Sequence, residues 1–507
     1  MYILTNQQMR AADEYTMKTL GVPSLLLMER AGIALADEAE SMTAGKIVCV
    51  CGGGNNGGDG FVCARILKSR GREVAVVFYA EKQSADCRIN MEKWVSTGGE
   101  ILEKIPEDVA LIVDCMYGTG FRGALLDSDM GMAKEINARK TQGAKVLSAD
   151  MPSGVNGENG NVEGVAVFAD KTLCLGALKM GALLGDGIDH AGELLCVDIG
   201  IELPEKDNYA VLSNEAYVAS LLPIRKRNSH KGTYGKAAIV AGSFVYSGAA
   251  YLAASACLHA GAGYTALFTP SALLPHFMLK SPEILLRASN EGGMYAFNEE
   301  RMQALLEYNS VAYGMGMGMS EEVAKGAIWL LQRYEGKLIL DADGINSLAA
   351  YHKDELLQIF HNKKCDVILT PHSKEFSRLT GIGMKEVMDE GYSMAKSLAE
   401  KWSINVLLKN AVSVITDGQR AAFNASGCSG QAKGGSGDVL AGVVAGLCAA
   451  GLSAYEAGVV GAFITGKAAE LASQIYSEYA LTASDVIAYL GKAFLLISEN
   501  ANEQGRE

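Results

Sequence analysis

Residues 429–442 read SGQAKGGSGDVLAG, and this stretch decides how the second half of the chain is interpreted. The segment 439–450 is small, apolar and uncharged, which predicts a buried helix. Gly434, Gly435 and Gly437 therefore precede or open a predicted helix. Glycines let the backbone come close to a ligand, and the free N–H groups at a helix start favour an anion, typically a phosphate.

Asp438 falls in the first turn of this predicted helix, beside the expected anion site. A carboxylate at that place has two chemical roles: a general base for a hydroxyl that attacks a phosphoryl group, or a ligand for a metal carried by the phosphates. The structural alternative is an N-cap aspartate after a glycine-rich turn. The motif GGSGD alone leaves these alternatives open.

Composition limits the class of protein. A chain of 507 residues predicts two to four domains, and 49% apolar with 20% charged residues is typical of a globular protein with large cores. The balance of 45 basic against 58 acidic residues gives −13, which argues against a general nucleic-acid binder. The 11 cysteines lack CxxC spacing, so we expect buried thiols of a reducing compartment.

Two stretches, 248–268 and 439–466, are apolar enough to test as membrane spans. Both are rich in Gly and Ala and carry polar residues such as His259 and Glu456, so buried helices are the better interpretation. The chain opens on a polar, amphipathic segment and not on a signal peptide. We therefore expect a cytoplasmic protein with no membrane partner.

The first half alternates strands and helices, which predicts a parallel sheet with helices on both faces. We expect the glycine-rich segment 52–60 to be a loop and a helix to begin at Phe61. The four predicted strands lie within 46–51, 73–80, 111–120 and 145–154.

Polar clusters follow three of these strands: Asn55–Asp59, Asp114–Gly123 and Asp150–Ser153. Ligands of parallel sheets bind beyond the carboxyl ends of the strands, so the three clusters predict one shared site. The first cluster lacks the GK[ST] of a phosphate-binding loop and fits a dinucleotide-binding GxGxxG poorly.

Five side chains in these clusters offer oxygen atoms to a cation. Taken one at a time, each is equally compatible with ordinary turn chemistry, whereas the set favours a cation site. They are Asn55, Asn56, Asp59, Asp114 and Ser153.

The stretch 201–228 is charged, contains Pro223 and interrupts the apolar pattern, which predicts a domain boundary. We expect domains at 1–212 and 213–507. The basic run 225–231 is typical of a solvated face.

The second half repeats the α/β pattern without a fixed-period repeat. Polar residues again follow the predicted strands, which makes the second half another candidate site. These residues are Gly316, Gly318, Asp341, Asp343, His372, Glu375, Lys409 and Asp438. His372 follows Pro371 and has no nearby His or Cys in sequence, which favours substrate contact over a metal role.

The first half resembles the NAD(P)H-hydrate epimerase family, through NNGGDG (55–60), VDCMYGTGFRG (113–123) and DMPSG (150–154). The second half resembles the ADP/ATP-dependent NAD(P)H-hydrate dehydratase family. The motifs that carry this second resemblance are HKGTYGKAAIVAGS (230–243), YSGAAYLAASACLHAGAGY (246–264), DADGINSL (341–348), LTPHSKEFSRLTG (369–381) and GGSGDVLAG (434–442).

Both sets of motifs together are similar to the bifunctional NAD(P)H-hydrate repair enzymes, in that family's order and over nearly the whole chain. The resemblance implies an α/β protein with a Rossmann-like three-layer αβα domain followed by a ribokinase-like αβα domain. It also implies epimerisation of the R and S hydrates NADHX and NADPHX, and dehydration of the S form with ADP or ATP. We also expect a homo-oligomer.

In the epimerase half, the resemblance implies that Asn56, Asp114 and Ser153 hold a potassium ion. We further hypothesise that Asp150 moves a proton as the hydrated ring opens and recloses. The residues implied to contact the hydrated nucleotide are Asn55, Asn56, Gly57, Gly58, Asp59, Gly118, Thr119, Gly120, Phe121, Arg122, Gly123, Ala124 and Asp150.

In the dehydratase half, the resemblance implies that Ala249, Gly318, His372 and Asp438 line the substrate. The residues implied to bind ADP or ATP, with Mg²⁺, are Lys409, Asn410, Ala411, Val412, Ser413 and Gly437.

Two of these motifs depart from the family pattern. The usual GPGLG is here GMGMG (314–318), which keeps the glycines and loses the rigid proline. The usual Lys-Gly-Ala is here Lys409-Asn410-Ala411, and an Asn replaces Gly readily where the backbone is left-handed.

The implied reaction gives each of these dehydratase residues a chemical role. The hydroxyl of a hydrated nicotinamide leaves poorly, and phosphorylation makes it a good leaving group. Asp438 would act as the base, and the N–H groups of 435–438 would hold the transferred phosphoryl group. A rival interpretation is a small-molecule kinase of the ribokinase class with an N-terminal regulatory or binding module. The first-half motifs have no place in such kinases.

Overall fold

The computed structural model describes residues 1–204 and 209–504, without the side chains of 499–504. The chain divides into two compact units, Met1–Tyr209 and Ala210–Glu507. The stretch predicted as a boundary includes residues 205–208, which lie outside the described residues.

The first unit alternates strands and helices along the chain. Its elements are β1 Tyr2–Leu4, α1 Asn6–Glu14, α2 Ser24–Met42, β2 Ile47–Cys51, α3 Asn55–Ser69, β3 Val74–Phe78, α4 Ala85–Ser96, β4 Ile101–Leu102, β5 Leu111–Cys115, α5 Asp127–Thr141, β6 Lys145–Ala149, β7 Lys171–Leu175, β8 Leu178–Lys179, α6 Gly187–Ala191 and β9 Glu193–Val197.

The main sheet of this unit has the order β4-β3-β2-β5-β6-β7-β9, and all its strand pairs are parallel. The central strands β2 and β5 are buried throughout, with no polar face. Such strands need a helical layer on each side, and apolar clusters lie on both faces, around Leu35 and Trp94 and around Ile136. The predicted parallel three-layer architecture is confirmed for this half.

One predicted boundary is wrong. Helix α3 begins at Asn55 and not at Phe61, so the cluster Asn55–Asp59 forms the first turns of a helix. Glycine has poor helix propensity, which suggested a loop. Tertiary packing overrides that preference here, because a Cβ at Gly57 would overlap the carbonyl oxygen of Gly52 and a Cβ at Gly58 would meet Met28 at 2.6 Å.

The second unit is larger and is also α/β. Its elements are β10 Ala210–Leu212, α7 Glu215–Leu221, β11 Lys236–Val240, α8 Ser247–His259, β12 Tyr264–Thr269, α9 Leu274–Phe277, β13 Leu285–Ala288, α10 Glu299–Met302, β14 Ser310–Tyr313, α11 Glu321–Arg333, β15 Lys337–Leu340, α12 Asp343–Tyr351, α13 Leu356–His361, β16 Asp366–Leu369, α14 Ser373–Thr380, α15 Met384–Trp402, β17 Asn405–Leu408, β18 Ser413–Thr416, β19 Ala421–Asn424, α16 Ser436–Ala449, α17 Ala454–Ala480 and α18 Ala483–Gln504.

Within this unit the strand order is β13-β12-β11-β14-β15-β16-β17-β18-β19-β10. Pairing is parallel except at β18, which runs antiparallel to both β17 and β19. Helix α16 is buried along its apolar length and packs with α8 and α17 on one face of the sheet. The apolar stretches first tested as membrane spans are thus core helices and a core strand, as predicted.

Among the described residues, no helix combines the length and the apolar character that a membrane crossing needs. The cysteines are free thiols, and all are buried except the half-buried Cys196 and Cys428. The expected buried thiols are therefore present.

Candidate functional site

Each unit carries a candidate site at the carboxyl ends of its parallel strands. In the first unit a cavity of about 1220 Å³ opens there, and all three predicted polar clusters contribute to its wall. The predicted substrate residues that line it are Asn55, Asn56, Asp59, Gly118, Thr119, Gly120, Phe121, Arg122, Ala124 and Asp150.

The remaining predicted residues of this set do not line the cavity. Gly57 and Gly58 are buried in close backbone packing beneath it. Gly123 adopts a φ of 78°, a left-handed conformation that glycine adopts without strain. These glycines shape the wall of the cavity without facing it.

Asp150 directly follows β6 and holds a φ of 68°, which is unusual for a residue with a side chain. Its carboxylate pairs with Lys179, whose side chain is 1% exposed, and it accepts hydrogen bonds from the hydroxyl and the N–H of Thr119. Burial raises the pKa of Asp150, but Lys179 and Thr119 outweigh it, so the pKa lies below its usual value. Asp150 is therefore held as a carboxylate in the cavity.

Two further acids share this cavity with Asp150 and Lys179. Asp59 is 8% exposed, and Asp13 projects from α1 into the same space. Burial, reinforced by the charge of Asp150, raises the pKa of Asp59 well above its usual value and that of Asp13 to about 6. Three acids and one lysine thus meet in one largely desolvated place.

Asp114 and Ser153 lie beneath the cavity and are fully buried. The Ser153 hydroxyl donates to Asp114 at 2.6 Å, and the Ser153 N–H donates to the same carboxylate at 2.9 Å. Burial raises the pKa of Asp114 despite these donors. Asn56 sits against Gly118, with its buried Nδ2 lacking a hydrogen-bond partner.

These three residues fit a monovalent cation in their chemistry. They supply two neutral side-chain oxygens and one carboxylate that no basic side chain neutralises within the described residues. A divalent ion usually recruits more carboxylates, and the described residues contain no cluster of three or more His, Cys, Asp or Glu side chains suited to a metal.

In the second unit, a buried ion pair holds the strand ends together. Lys409 Nζ lies 2.8 Å from Asp341 Oδ1, and the Thr370 hydroxyl donates to the same oxygen at 2.8 Å. Burial tends to lower the pKa of Lys409, but Asp341 and Glu375 raise it above its usual value. Lys409 is thus a fixed cation next to the helix start at 436.

Helix α16 begins with Gly435 as its N-cap, in a left-handed conformation with φ of 98°. Asp438 therefore lies in the first turn of the helix, three residues after the N-cap, and the alternative of an N-cap aspartate is wrong. Burial, followed by the charge of Asp341, raises the pKa of Asp438 to about 7. A carboxyl that titrates near neutrality is suited to general base catalysis.

Gly437 is the point of closest approach between the helix start and the ion pair. A Cβ added at Gly437 would lie 3.3 Å from Lys409 Nζ and 3.9 Å from Asp341 Oδ2. The structure therefore brings Gly437, Asp438 and Lys409 together, as their shared place at strand ends and a helix start suggested.

His372 is the N-cap of α14. Its ring Nδ1 accepts hydrogen bonds from the backbone N–H groups of Lys374 at 3.1 Å and Glu375 at 3.2 Å. Its backbone N–H donates to the Glu375 carboxylate at 2.9 Å. A backbone bridge links it to Lys409. Its side chain is 50% exposed, and its Nε2 lies 3.5 Å from Glu375 Oε1.

Gly318 and Ala249 complete the neighbourhood. The N–H of Gly318, at a φ of 83°, donates to Asp343 Oδ2 at 2.8 Å. Ala249 lies near the start of α8, where a Cβ added at Gly316 would meet it at 2.7 Å. The glycines of GMGMG keep their left-handed conformations without the proline.

Of the predicted nucleotide residues, 410–412 lie in the turn between β17 and β18, and Ser413 is the first residue of β18. Asn410 and Ala411 are exposed, Val412 is buried and Ser413 is half buried. Asn410 does not have a positive φ, so the backbone at this position is not left-handed and does not require a glycine.

Sequence reasoning assigned no role to several residues that now belong to these sites. Asp341, Asp343 and Glu375 were visible as polar residues after strands. Lys179 was signalled only as a lone charge within GALKMGALLG (176–185). Asp13, within the polar helix α1, gave no signal.

The folds and sites define a two-part α/β protein. One unit has a cavity lined by three acids and a lysine, and the other has a carboxyl with a raised pKa at a helix start beside an ion pair. Two family models match the chain: a YjeF-related protein N-terminus over residues 24–181 and NAD(P)H-hydrate dehydratase over residues 237–492. The chain belongs to the family of bifunctional NAD(P)H-hydrate repair enzymes.

Curated relatives match over nearly their whole length. A bifunctional NAD(P)H-hydrate repair enzyme of Thermofilum pendens is 36% identical, covering 99% of this chain and 97% of that protein. One from Moorella thermoacetica is 32% identical, covering 97% and 96%. One from Escherichia coli is 30% identical, covering 95% and 92%.

Solved structures match more than half of the chain. An ADP/ATP-dependent NAD(P)H-hydrate dehydratase from Bacillus subtilis is 27% identical, with a TM-score of 0.49, covering 57% of this chain and 99% of that chain. A protein from Streptococcus mutans is 24% identical, with a TM-score of 0.50 and coverage of 57% and 100%. The expected fold class and bifunctional family are confirmed.

Proposed function

We propose that the cavity of the first unit epimerises the R and S forms of NADHX and NADPHX. The site around Asp438 would dehydrate the S form with ADP or ATP. One observation carries the dehydratase assignment: Asp438, with a pKa raised to about 7, lies at the start of α16 beside the buried Lys409–Asp341 pair. A base, a cation and a set of free N–H groups are what transfer of a phosphoryl group to a hydroxyl requires.

In the dehydration step, Asp438 accepts the proton of the ring hydroxyl as that oxygen attacks the terminal phosphoryl group. The N–H groups of residues 435–438 lie at the start of α16 and would stabilise the transferred group as it gains charge. Lys409 contributes a fixed positive charge next to Gly437. Mg²⁺ carried by the nucleotide would neutralise phosphate charge, with Asp341 and Asp343 as the nearby carboxylates suited to hold it.

The residues proposed to bind ADP or ATP are Lys409 to Ser413 and Gly437. Their support is the exposed turn between β17 and β18, which begins at Lys409 beside the start of α16. Ala249, Gly318 and His372 would contact the hydrated nicotinamide. His372 and Lys409 share a backbone bridge, so substrate and nucleotide would meet at this junction.

In the epimerisation step, Asp150 would take the proton of the ring hydroxyl while the bond between that carbon and the ring nitrogen breaks. Rotation and reclosure on the other face then exchange the two epimers. Lys179 keeps Asp150 ionised for this purpose. The remaining lining residues, from Asn55 to Ala124, would hold the nucleotide.

We also propose that Asn56, Asp114 and Ser153 hold a potassium ion. The ion would balance the buried carboxylate of Asp114 and fix the start of α3 against the loop after β5. The support is the buried oxygen set and the absence of a basic partner for Asp114 among the described residues.

The test is the recovery of NADH absorbance from a mixture of both epimers. The proposal expects full recovery with one adenine nucleotide, whereas a dehydratase without epimerase recovers only the S fraction during the assay. The ribokinase-class alternative predicts nucleotide consumption with pyridoxine or hydroxymethylpyrimidine and none that depends on the hydrate. Running ADP and ATP in parallel identifies the true phosphoryl donor.

Two further proposals concern the setting of the enzyme. The substrates place it where NADH and NADPH are used, and we propose a cytoplasmic location. We also propose a homo-oligomer, which light scattering of the purified chain tests directly. A single mass equal to one chain would contradict it.

A further inference from the structure

Asp59 is a buried acid with no assigned chemical task. It lies in the early turns of α3, lines the cavity, and is 8% exposed. The structure gives its carboxyl no hydrogen bond or ion pair with any described residue, whereas Asp150 in the same cavity is paired with Lys179 and bonded to Thr119. A buried polar group without a partner costs free energy unless a ligand satisfies it.

We propose that Asp59 is the acid of the epimerisation, which protonates the ring nitrogen while Asp150 takes the hydroxyl proton, and that Asp13 controls when Asp59 holds its proton. This inference rests on the proposed epimerase function of the first unit.

The proton balance closes over one cycle. Asp150 takes the hydroxyl proton, the carbon–oxygen double bond forms, and the carbon–nitrogen bond breaks with its electron pair going to the nitrogen. Asp59 gives its proton to that nitrogen. After rotation the nitrogen returns the proton to Asp59 as it attacks the other face of the carbonyl, and Asp150 returns its proton to the oxygen.

The charges around Asp59 support this division of roles. Asp150, Lys179 and Asp13 act on it across the cavity, and the buried thiols of Cys51, Cys87 and Cys115 lie within its field. Burial comes first and the charge of Asp150 second in raising its pKa, while Lys179 opposes them. Lys179 is paired with Asp150 and keeps that acid ionised. Asp59 has no such partner and keeps its proton.

Asp13 is the more exposed of the two remaining acids, and the pKa of its carboxyl is raised to about 6 by burial, with Asp150 adding to the effect. Its negative charge raises the pKa of Asp59 in turn. Near neutral pH Asp13 is ionised, and this charge helps Asp59 to retain its proton.

The experiment measures epimerisation of the R hydrate against pH for the full-length protein, with the dehydratase rate on the S hydrate as internal control. The wild-type rate should fall at alkaline pH as Asp59 loses its proton. Asp59→Asn should lower kcat by about 10²–10⁴ with KM nearly unchanged, because Asn still donates a hydrogen bond but supplies no proton.

Asp13→Asn removes a negative charge near Asp59, so the alkaline fall should move to lower pH. The matched control is Glu14→Gln, the next residue on α1, which loses the same charge from an exposed pair with Lys18 and should leave the profile in place. If Asp59→Asn does not fold, Asp13→Asn and Glu14→Gln still test whether the proton of Asp59 sets the alkaline limb.

The outcomes separate the two proposals. A wild-type protein without epimerisation overturns the proposed function. An active wild type whose alkaline limb survives Asp59→Asn, or stays in place in Asp13→Asn, overturns the role of Asp59. A rise in KM alone in Asp59→Asn would assign it to binding only.

Discussion

Lys409 and Asp341 form an ion pair of 2.8 Å, in which the Asp341 side chain is 2% exposed and the Lys409 side chain 19% exposed. The pair joins the ends of β15 and β17 next to the start of α16. Its two charges shift the pKa of Asp438 in opposite directions. Asp341 raises the pKa of Asp438, and Lys409 lowers it.

Asp438→Asn should abolish dehydration and leave nucleotide affinity within about tenfold, because a general base contributes roughly 10²–10⁴ to rate and little to ground-state binding. Turnover with the S hydrate and calorimetric titration with ADP and ATP measure the two effects. Glu321→Gln, in the first turn of α11, removes an acid from another helix start and should change neither. Near-normal turnover in Asp438→Asn would remove Asp438 as the base.

The pH profile of dehydration should show an acid limb near pH 7, since Asp438 must be ionised to accept a proton and its pKa is about 7. Lys409→Met removes a charge that lowers this pKa, so the limb should move to higher pH. The same change leaves Asp341 buried without its partner, at a cost of about 3–5 kcal/mol in stability. A limb that moves to lower pH would contradict this account of the site.

Lys179→Met should lower epimerisation at neutral pH and leave dehydration unchanged. Without Lys179, burial dominates and the pKa of Asp150 rises, so the base becomes protonated and recovers at higher pH. Epimerisation of the R hydrate against pH measures the effect. The control is Arg65→Met, which breaks the ion pair between Arg65 on α3 and Glu29 on α2, outside the cavity. A profile of wild-type shape in Lys179→Met would show that Lys179 only supports the fold.

Sequence predicted the sites where a local pattern determines them. An apolar strand followed by Gly, Asn or Asp locates a strand end, and the parallel topology then brings such ends together. Lys179 and Asp13 escaped because their roles depend on partners far away in the chain, Asp150 and Asp59. The start of α3 was missed because Gly57 and Gly58 are poor helix formers, and their value lies in contacts with Gly52 and Met28.

Epimerisation should depend on potassium. Asp114→Asn removes the charge that a cation would balance, so substrate binding should weaken while the nucleotide-dependent step is unaffected. Rates in sodium-only and potassium buffers at matched ionic strength measure the dependence. Ser148→Ala removes one donor to Asp114 without removing a proposed ligand, and it should keep the potassium response. Equal rates after exhaustive removal of potassium would leave these residues as turn formers.

The two halves should fold as separate fragments. The predicted division at 212 and 213 would leave β10 with the first fragment, although β10 pairs with β19 at Val211 and Ala422. A second fragment that begins at Ala210 should therefore be more stable than one that begins at Ser213, by about 2 kcal/mol for the lost apolar burial. Urea unfolding of both fragments tests this, and equal midpoints would show that β10 contributes nothing to the second unit.

The cap on α14 fixes the tautomer of His372. Because Nδ1 accepts two N–H groups, the ring proton sits on Nε2, and burial followed by Lys409 lowers the pKa so that the ring stays neutral. His372 can therefore offer only a donor to whatever enters the site, and it selects an oxygen such as a carboxamide or phosphate oxygen over an amine. A second proton on the ring would cost the helix its cap. Because the pKa of His372 is lowered and that of Asp438 is raised to about 7, Asp438 takes up its proton first, and the start of α14 would loosen only on further acidification.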